Sequence, residues 1–333
     1  MIVAGIDEAG YGPLLGPLVV GCCAFDIGES AAPDPAQPAP CLWKRLTKLV
    51  SKNRTKTGRK LHVNDSKAVY SPSIGLKELE RSILCVLAAA GRPCATFDDF
   101  LNCVSPEAAA LLAQHPWYGS ADDERWPFEQ EALPLTLFAK ALSLEMQRAG
   151  THCVHLAACV VPEKPFNRMI DQTRNKAGAL FSISARHLDH LLRTYGDRPL
   201  VIHCDRQGGR EHYAQLLRLK FEDWALDVLR EQDGHSEYVL HHPKGTTSEQ
   251  VPPVRIIFRE KAESQSMPVA LASMLSKYLR EGLMRRFNRF WKNHLPEVVP
   301  TAGYYGDGSR FLQDIDAKRR ELGIPDELLI RSR

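Results

Sequence analysis

A chain of 333 residues, 44% hydrophobic, is long enough for one large domain or two small ones with real cores. Its formal net charge of +3 does not by itself announce a nucleic-acid binder, so local basic clusters carry more information than the total. Nine cysteines are scattered with no CxxC pair, which argues against a zinc ribbon and fits buried free thiols in a reducing compartment. No stretch is long and apolar enough to span a bilayer, and the apolar start lacks a basic leader, so the chain is expected to be soluble and cytoplasmic.

The first element is the apolar run Met1 to Ile6, ending in two adjacent carboxylates, Asp7 and Glu8. A glycine-punctuated turn follows (Gly10, Tyr11, Gly12, Pro13), and a second apolar run, Leu14 to Phe25, leads back. This predicts a hairpin of two strands buried on both faces, with the acids at the end of the first. Gly28 to Pro40 reads as a Pro- and Ala-rich surface loop. Leu42 to Lys60 is basic, and a second basic cluster runs from Lys277 to Lys292 through Arg280, Arg285, Arg286 and Arg289. Taken singly, each cluster reads as a solvated face.

A short strand meets the polar turn Asn64-Asp65-Ser66-Lys67, and a helix capped by Ser71 or Ser73 is expected to run to about Ala90. Residues 95–150 form an acidic segment with Trp117, Tyr118 and Trp126, closing in a helix from Leu133 to Arg148. A strand from His152 to Val161 and a long or broken helix from Asn167 to Tyr195 follow. Next, the apolar run into Cys204 ends in Asp205, succeeded by Arg206-Gln207-Gly208-Gly209-Arg210 and a helix from about Glu211 to Arg218. A polar, His-containing excursion is expected up to Pro253, then a strand Val254 to Arg259, Glu263, a helix Pro268 to Phe290, and a tail with Gly303-Tyr304. Strands and helices alternate, so the class is α/β.

Three apolar strands therefore run into acids: Asp7-Glu8, Asp205 and Glu263. Strand ends are where α/β folds assemble sites. Four carboxylates gathered there repel one another unless divalent cations neutralise them, and hard oxygen ligands favour Mg²⁺ or Mn²⁺. Two such ions about 4 Å apart suit phosphodiester hydrolysis. His203 and the His241-His242 pair are read as structural, because neighbours on an extended chain point to opposite faces.

The motifs resemble the type 2 ribonuclease H family, ribonucleases HII and HIII. Asp7-Glu8-Ala9-Gly10-Tyr11-Gly12-Pro13-Leu14-Leu15-Gly16-Pro17 follows the family's D-E-x-G-x-G-P-x-x-G-P, Asn64-Asp65-Ser66-Lys67 its N-D-S-K, and Ala270 to Lys277 its A-A-S-x-x-A-K helix. Glu263 as the fourth acid looks like the HIII branch. The resemblance implies a ribonuclease H-like mixed β-sheet flanked by helices. It implies cleavage of the RNA strand of RNA–DNA hybrids to 3′-hydroxyl and 5′-phosphate ends, with Mg²⁺ or Mn²⁺ in a two-metal site on Asp7, Glu8, Asp205 and Glu263. It also implies substrate contacts from Gly10, Tyr11, Gly12, Lys67, Lys277 and Tyr304. Residues 1–290 are then the catalytic domain, with insertions near 28–60, 95–150 and 211–253, and 291–333 an extension packed on it. A nucleic-acid substrate, no membrane and a monomer are the expected partners and state. The alternatives are the same fold acting on another nucleic-acid structure, or a non-catalytic nucleic-acid-binding protein.

Tyr11 stands where the HII branch has arginine, and a phenol does not replace a guanidinium fork. The resemblance therefore does not imply recognition of a single embedded ribonucleotide, and Arg206 or Arg210 is expected to supply the missing phosphate contact.

Overall fold

The computed structural model describes residues 1–28, 39–121, 123–232, 234–242 and 252–332. Its centre is a mixed seven-stranded sheet flanked by helices, as the α/β reading expects. The strands are β1 (Ile2–Ala9), β2 (Leu18–Asp26), β3 (His152–Val161), β4 (Leu200–Asp205), β5 (Ala225–Gln232), β6 (His235–His241) and β7 (Val254–Arg259). Their order is β3-β2-β1-β4-β7-β6-β5. β1, β4 and β7 run parallel at the centre, and every other pairing is antiparallel.

Alternation along β1 and β2 explains their unbroken apolar composition. Ile2, Ala4 and Ile6, with Val20, Cys22 and Ala24, face one core, while Val3, Val19, Cys23 and Phe25 face the other. The first core is covered by helix α5 (Lys176–Tyr195), which contributes Leu180, Ile183 and Leu188. The second is covered by helix α6 (Met267–His294). α6 lies directly on β1: a Cβ placed on Gly5 would come 2.1 Å from the Val269 backbone nitrogen, so only glycine permits this approach.

The aromatic segment 97–128 is core. Phe97, Trp117, Trp126 and Phe128 pack with Tyr278, Phe287 and Trp291 of α6. Buried Glu80, on helix α1 (Lys77–Ala89), holds this segment by accepting backbone N–H bonds from Phe128, Glu129 and Gln130 at 2.6–2.7 Å. The remaining helices of eight residues or more among the described residues are α2 (Phe97–Val104), α3 (Ala132–Arg148), α4 (Glu163–Thr173) and α7 (Tyr305–Glu321). Phe311 and Ile315 of α7 enter the α6 core.

Several sequence expectations change. β2 begins at Leu18, because Pro13 to Pro17 form an irregular loop. The first helix after Lys67 begins at Lys77, preceded by a single turn, Ser66–Val69, that Asp65 caps by accepting from the Lys67 N–H at 3.0 Å. Of the two readings for the segment before Tyr195, the broken pair is the one found, with the break at Arg174, whose φ is +50°. The helix expected from Glu211 starts at Ala214. The polar excursion carries the hairpin β5–β6, which completes the sheet. The basic cluster on α6 is no uniform solvated face: Arg280 and Arg286 are buried, and Arg286 pairs with Asp98 at 2.7 Å and with Glu124. Most of the loop expected from Gly28 to Pro40, together with Asp122 and residues 243–251, lies outside the described residues.

Candidate active site

The parallel pairing of β1 with β4 brings the first three acids together. Ile6 pairs with Cys204, so Asp7 and Asp205 follow on adjacent strands. Asp7 and Glu8 belong to β1 itself, which continues to Ala9, rather than lying beyond its end. Glu263 comes from the short 3₁₀ turn Ala262–Ser264 that follows β7, the next strand in the sheet. That turn is tied to β4 by the Ala262 N–H donating to Asp205 at 3.1 Å.

The four carboxyls interact as one electrostatic group. Burial raises Asp7, and the neighbouring charges of Glu8 and Asp205 raise it further, against a lowering hydrogen bond from Ser273. Burial and then Asp205 push Glu8 up to about 8. Burial raises Asp205 against hydrogen bonds from Ala262 and Glu263. Glu263 is pushed up to about 7 by burial, then by Asp205 and Asp65. Exposed Lys67 is the cation that both Glu8 and Asp205 feel. Among the described residues, no three of the four acids bring ligand oxygens within 4.8 Å of one another, a spacing in keeping with mutual repulsion.

α6 supports this site from below. Ser276 Oγ donates to the Asp7 carbonyl at 3.1 Å, and Ser273 Oγ donates to Ser66 Oγ of the Asn64–Lys67 turn at 3.0 Å. The alanine- and serine-rich stretch of α6 thus joins both motif loops. Lys277 is held by Glu281 at 2.7 Å and lies over the Tyr70 ring at 4.6 Å.

The glycine turn is held by two arginines that sequence reasoning did not assign to it. Arg331, 2% exposed, donates to the carbonyls of Gly10 and Tyr11, the latter at 3.3 Å, and its backbone N–H donates to Leu14 at 2.9 Å. Arg280, 1% exposed, donates to the carbonyls of Leu15 at 3.2 Å and Ala302 at 3.0 Å. Gly10 has φ +88°, and a Cβ there would meet the Pro17 carbonyl oxygen and the Arg280 side chain at 2.6–2.7 Å, so the position requires glycine. Gly12 is exposed with open space beside it. Nothing local in sequence signals these roles for Arg331 and Arg280, since their acceptors in the turn lie hundreds of residues away. Asp65 had a signal, its place in the Asn64–Lys67 motif.

The remaining expected residues divide. Tyr11 is half-buried under Lys176, whose Nζ is 5.1 Å from the ring centroid. Arg210 also acts on the Tyr11 hydroxyl electrostatically. Arg206 is engaged by Glu260 at 3.1 Å and Glu211 at 3.5 Å, so Arg210 is the better placed of the two beside the turn. Tyr304 is exposed, with the Arg280 guanidinium 5.8 Å from its ring. His241 pairs with Asp227 and His242 with the Gly196 carbonyl, so the two histidines do not act together.

The chain matches no known family model and no curated protein. It is similar to solved structures of type 2 ribonucleases H. With ribonuclease H2 from Pyrococcus horikoshii OT3 it shares 15% identity over 99% of this chain and 92% of that one, at a TM-score of 0.39. With the RNase HII of a PCNA complex from Archaeoglobus fulgidus the identity is 16%, the coverage 100% and 95%, and the TM-score 0.41. With a mutant protein of Bst-RNase HIII the identity is 16%, the coverage 98% and 65%, and the TM-score 0.46. Among the described residues, no helix is long and apolar enough to cross a membrane.

Proposed function

We propose that the chain is a type 2 ribonuclease H, a metal-dependent endonuclease that hydrolyses the RNA strand of RNA–DNA hybrids to 3′-hydroxyl and 5′-phosphate ends. One observation carries this reading: the Asp7-Glu8-glycine motif lies beside Asp205 and Glu263, burial raises all four carboxyls, and neighbouring acids raise Asp7, Glu8 and Glu263 further. Buried and half-buried acids gathered in this way fit a hard divalent cation, Mg²⁺ or Mn²⁺, because an all-oxygen donor set suits such ions and their charge relieves the repulsion. Asp7, Glu8, Asp205 and Glu263 would hold it. When bound, two such ions supply an activated water and stabilise charge on the leaving oxygen.

The chain's own residues do the positioning. Gly12, with open space beside it, lets a ribose approach the backbone of the turn closely enough for its 2′-hydroxyl to be read, while Gly10 fits that backbone against Pro17 and Arg280. Lys67, beside Glu8 and Asp205, is suited to neutralise a phosphate next to the cleaved bond. Lys277 is oriented by Glu281 and Tyr70 for a second phosphate, and Tyr304 offers an exposed ring to a sugar. Tyr11 and Arg210 form the side of the turn where the substrate strand would continue. We read the whole chain as one catalytic unit, with residues 291–333 completing its core through α7.

The test is cleavage of an all-RNA/DNA hybrid, beside a duplex with one embedded ribonucleotide, with Mg²⁺ or Mn²⁺, for the protein and its Asp7→Asn variant. Cleavage of the hybrid that Asp7→Asn abolishes supports the reading. Hybrid binding without cleavage under either metal would leave a binding module instead.

A further inference from the structure

We infer that Cys22, His155 and His187 form a second metal site, of thiolate and imidazole character, on the face of the sheet covered by α5. One ligand atom from each residue lies within 4.8 Å of the other two. The strand register places the first two: Cys22 pairs with Ala157 and Ala24 with His155, so Cys22 and His155 share a face across the β2–β3 ladder. α5 lowers His187 onto that face, where its Nε2 lies 2.9 Å from the Val20 carbonyl oxygen. A hydrogen bond from one ring nitrogen to a backbone carbonyl is how metal-ligating histidines are oriented, leaving the other nitrogen for the ion.

Two further features set the cluster apart from ordinary core packing. His155 Nε2 is buried with no hydrogen-bond partner, and a buried imidazole nitrogen left unpaired is unfavourable unless something occupies it. The site also opens to solvent. His155 and His187, with Cys159 and His190, line a cavity of about 390 Å³, and the His190 ring stacks on His155 with centroids 4.4 Å apart. Water or an outside donor entering from this cavity can complete the coordination. Arg186 in the same wall is neutralised by Glu107.

One thiolate with two imidazoles selects a borderline ion, Zn²⁺ above all, over the hard ions suited to the four acids. Binding forms a metal–sulfur bond, releases the Cys22 thiol proton to solvent and transfers no electrons. The ion would pin edge strand β3 and helix α5 to β2, one rung from the Asp7–Gly21 pair. The site is independent of the ribonuclease reading and stands or falls without it.

Co²⁺ titration of the intact protein tests this. The expected result is one cobalt equivalent giving a near-ultraviolet thiolate-to-cobalt charge-transfer band, bleached when Zn²⁺ is added. The band persists in an Asp7→Asn/Glu8→Gln variant, which separates it from any ion at the acids. It is lost in Cys22→Ser and, should that variant fail to fold by circular dichroism, in His155→Gln. Absence of the band in the unaltered protein, or its survival in folded Cys22→Ser, overturns the proposal.

Discussion

The Glu163 carboxylate accepts a hydrogen bond from the Gly16 backbone N–H at 3.0 Å, joining the start of α4 to the glycine turn across 147 residues of sequence. The same oxygen accepts from the Tyr118 hydroxyl at 3.0 Å, and the second oxygen faces His115 at 3.7 Å without a hydrogen bond. A helix N-terminus favours a charged carboxylate. Burial nevertheless wins and pushes Glu163 up to about 7, against the lowering hydrogen bonds and Arg331.

That shift has a definite sign. Between the ordinary value of 4.5 and about 7, the native state holds a proton on Glu163 that the unfolded chain has released. The stabilisation is complete below pH 4.5 and is lost as pH rises towards 7. Urea denaturation at stepped pH should show the protein losing about 3 kcal/mol over this window relative to Glu163→Gln, which keeps an acceptor for Gly16 but does not titrate. Parallel curves for the two proteins would exclude Glu163 as the titrating group.

Glu263→Gln should separate stability from catalysis. It removes a charge that burial and Asp205 oppose. At pH 8 without added divalent ions the variant should be more stable by about 1–3 kcal/mol, while hybrid cleavage with Mg²⁺ falls by about 10²-fold or more. Differential scanning calorimetry and a cleavage assay read the two effects. A variant that is destabilised without metal contradicts the repulsion described at the site.

Arg331→Ala leaves the Gly10 and Tyr11 carbonyls without their donor. The expected cost is about 2 kcal/mol of stability together with a raised KM for hybrid, because the turn is no longer held in place. Arg331→Lys should recover little, since a single ammonium does not span two carbonyls as a planar fork does. Full rescue by lysine would show that charge alone matters there.

Arg210→Ala should lower the slope of log affinity for hybrid against log salt by about 0.7–0.9, the signature of one lost phosphate contact. Arg206→Ala should change that slope much less, because Glu211 and Glu260 already engage its guanidinium. Fluorescence anisotropy over a salt series, with Ca²⁺ replacing Mg²⁺ to suppress cleavage, measures both. Equal slopes for all three proteins would remove Arg210 from the interface.

What could be read from the sequence was local. Strands β1, β4 and β7 announced themselves as apolar runs, and the acids stood within a few residues of them. The hairpin β5–β6 did not. Its outer strand is an edge with Asp227, Arg230 and Glu231 along it, so charge masks the alternation that marks a half-buried strand. Arg286 looked like a solvent residue because its neutralising partners, Asp98 and Glu124, lie more than 160 residues earlier. Glu163 escaped notice for the same reason, and neither Ser71 nor Ser73 caps the helix because Ser71 accepts from the Ile74 N–H in a short turn of its own and the helix begins only at Lys77.

The turn from Gly10 to Gly16 is synthesised before each of its braces, yet its fixed shape depends on Glu163, Arg280, Gly303 and Arg331 in succession. The last of these is 321 residues from the carbonyl it holds. A growing chain therefore has Asp7 and Glu8 long before the rigid turn beside them. Non-local closure of this kind is slow and comes after local structure. A partly synthesised chain would carry Asp7 and Glu8 without the braced turn beside them, so the arrangement around these acids would be complete only once synthesis has passed Arg331.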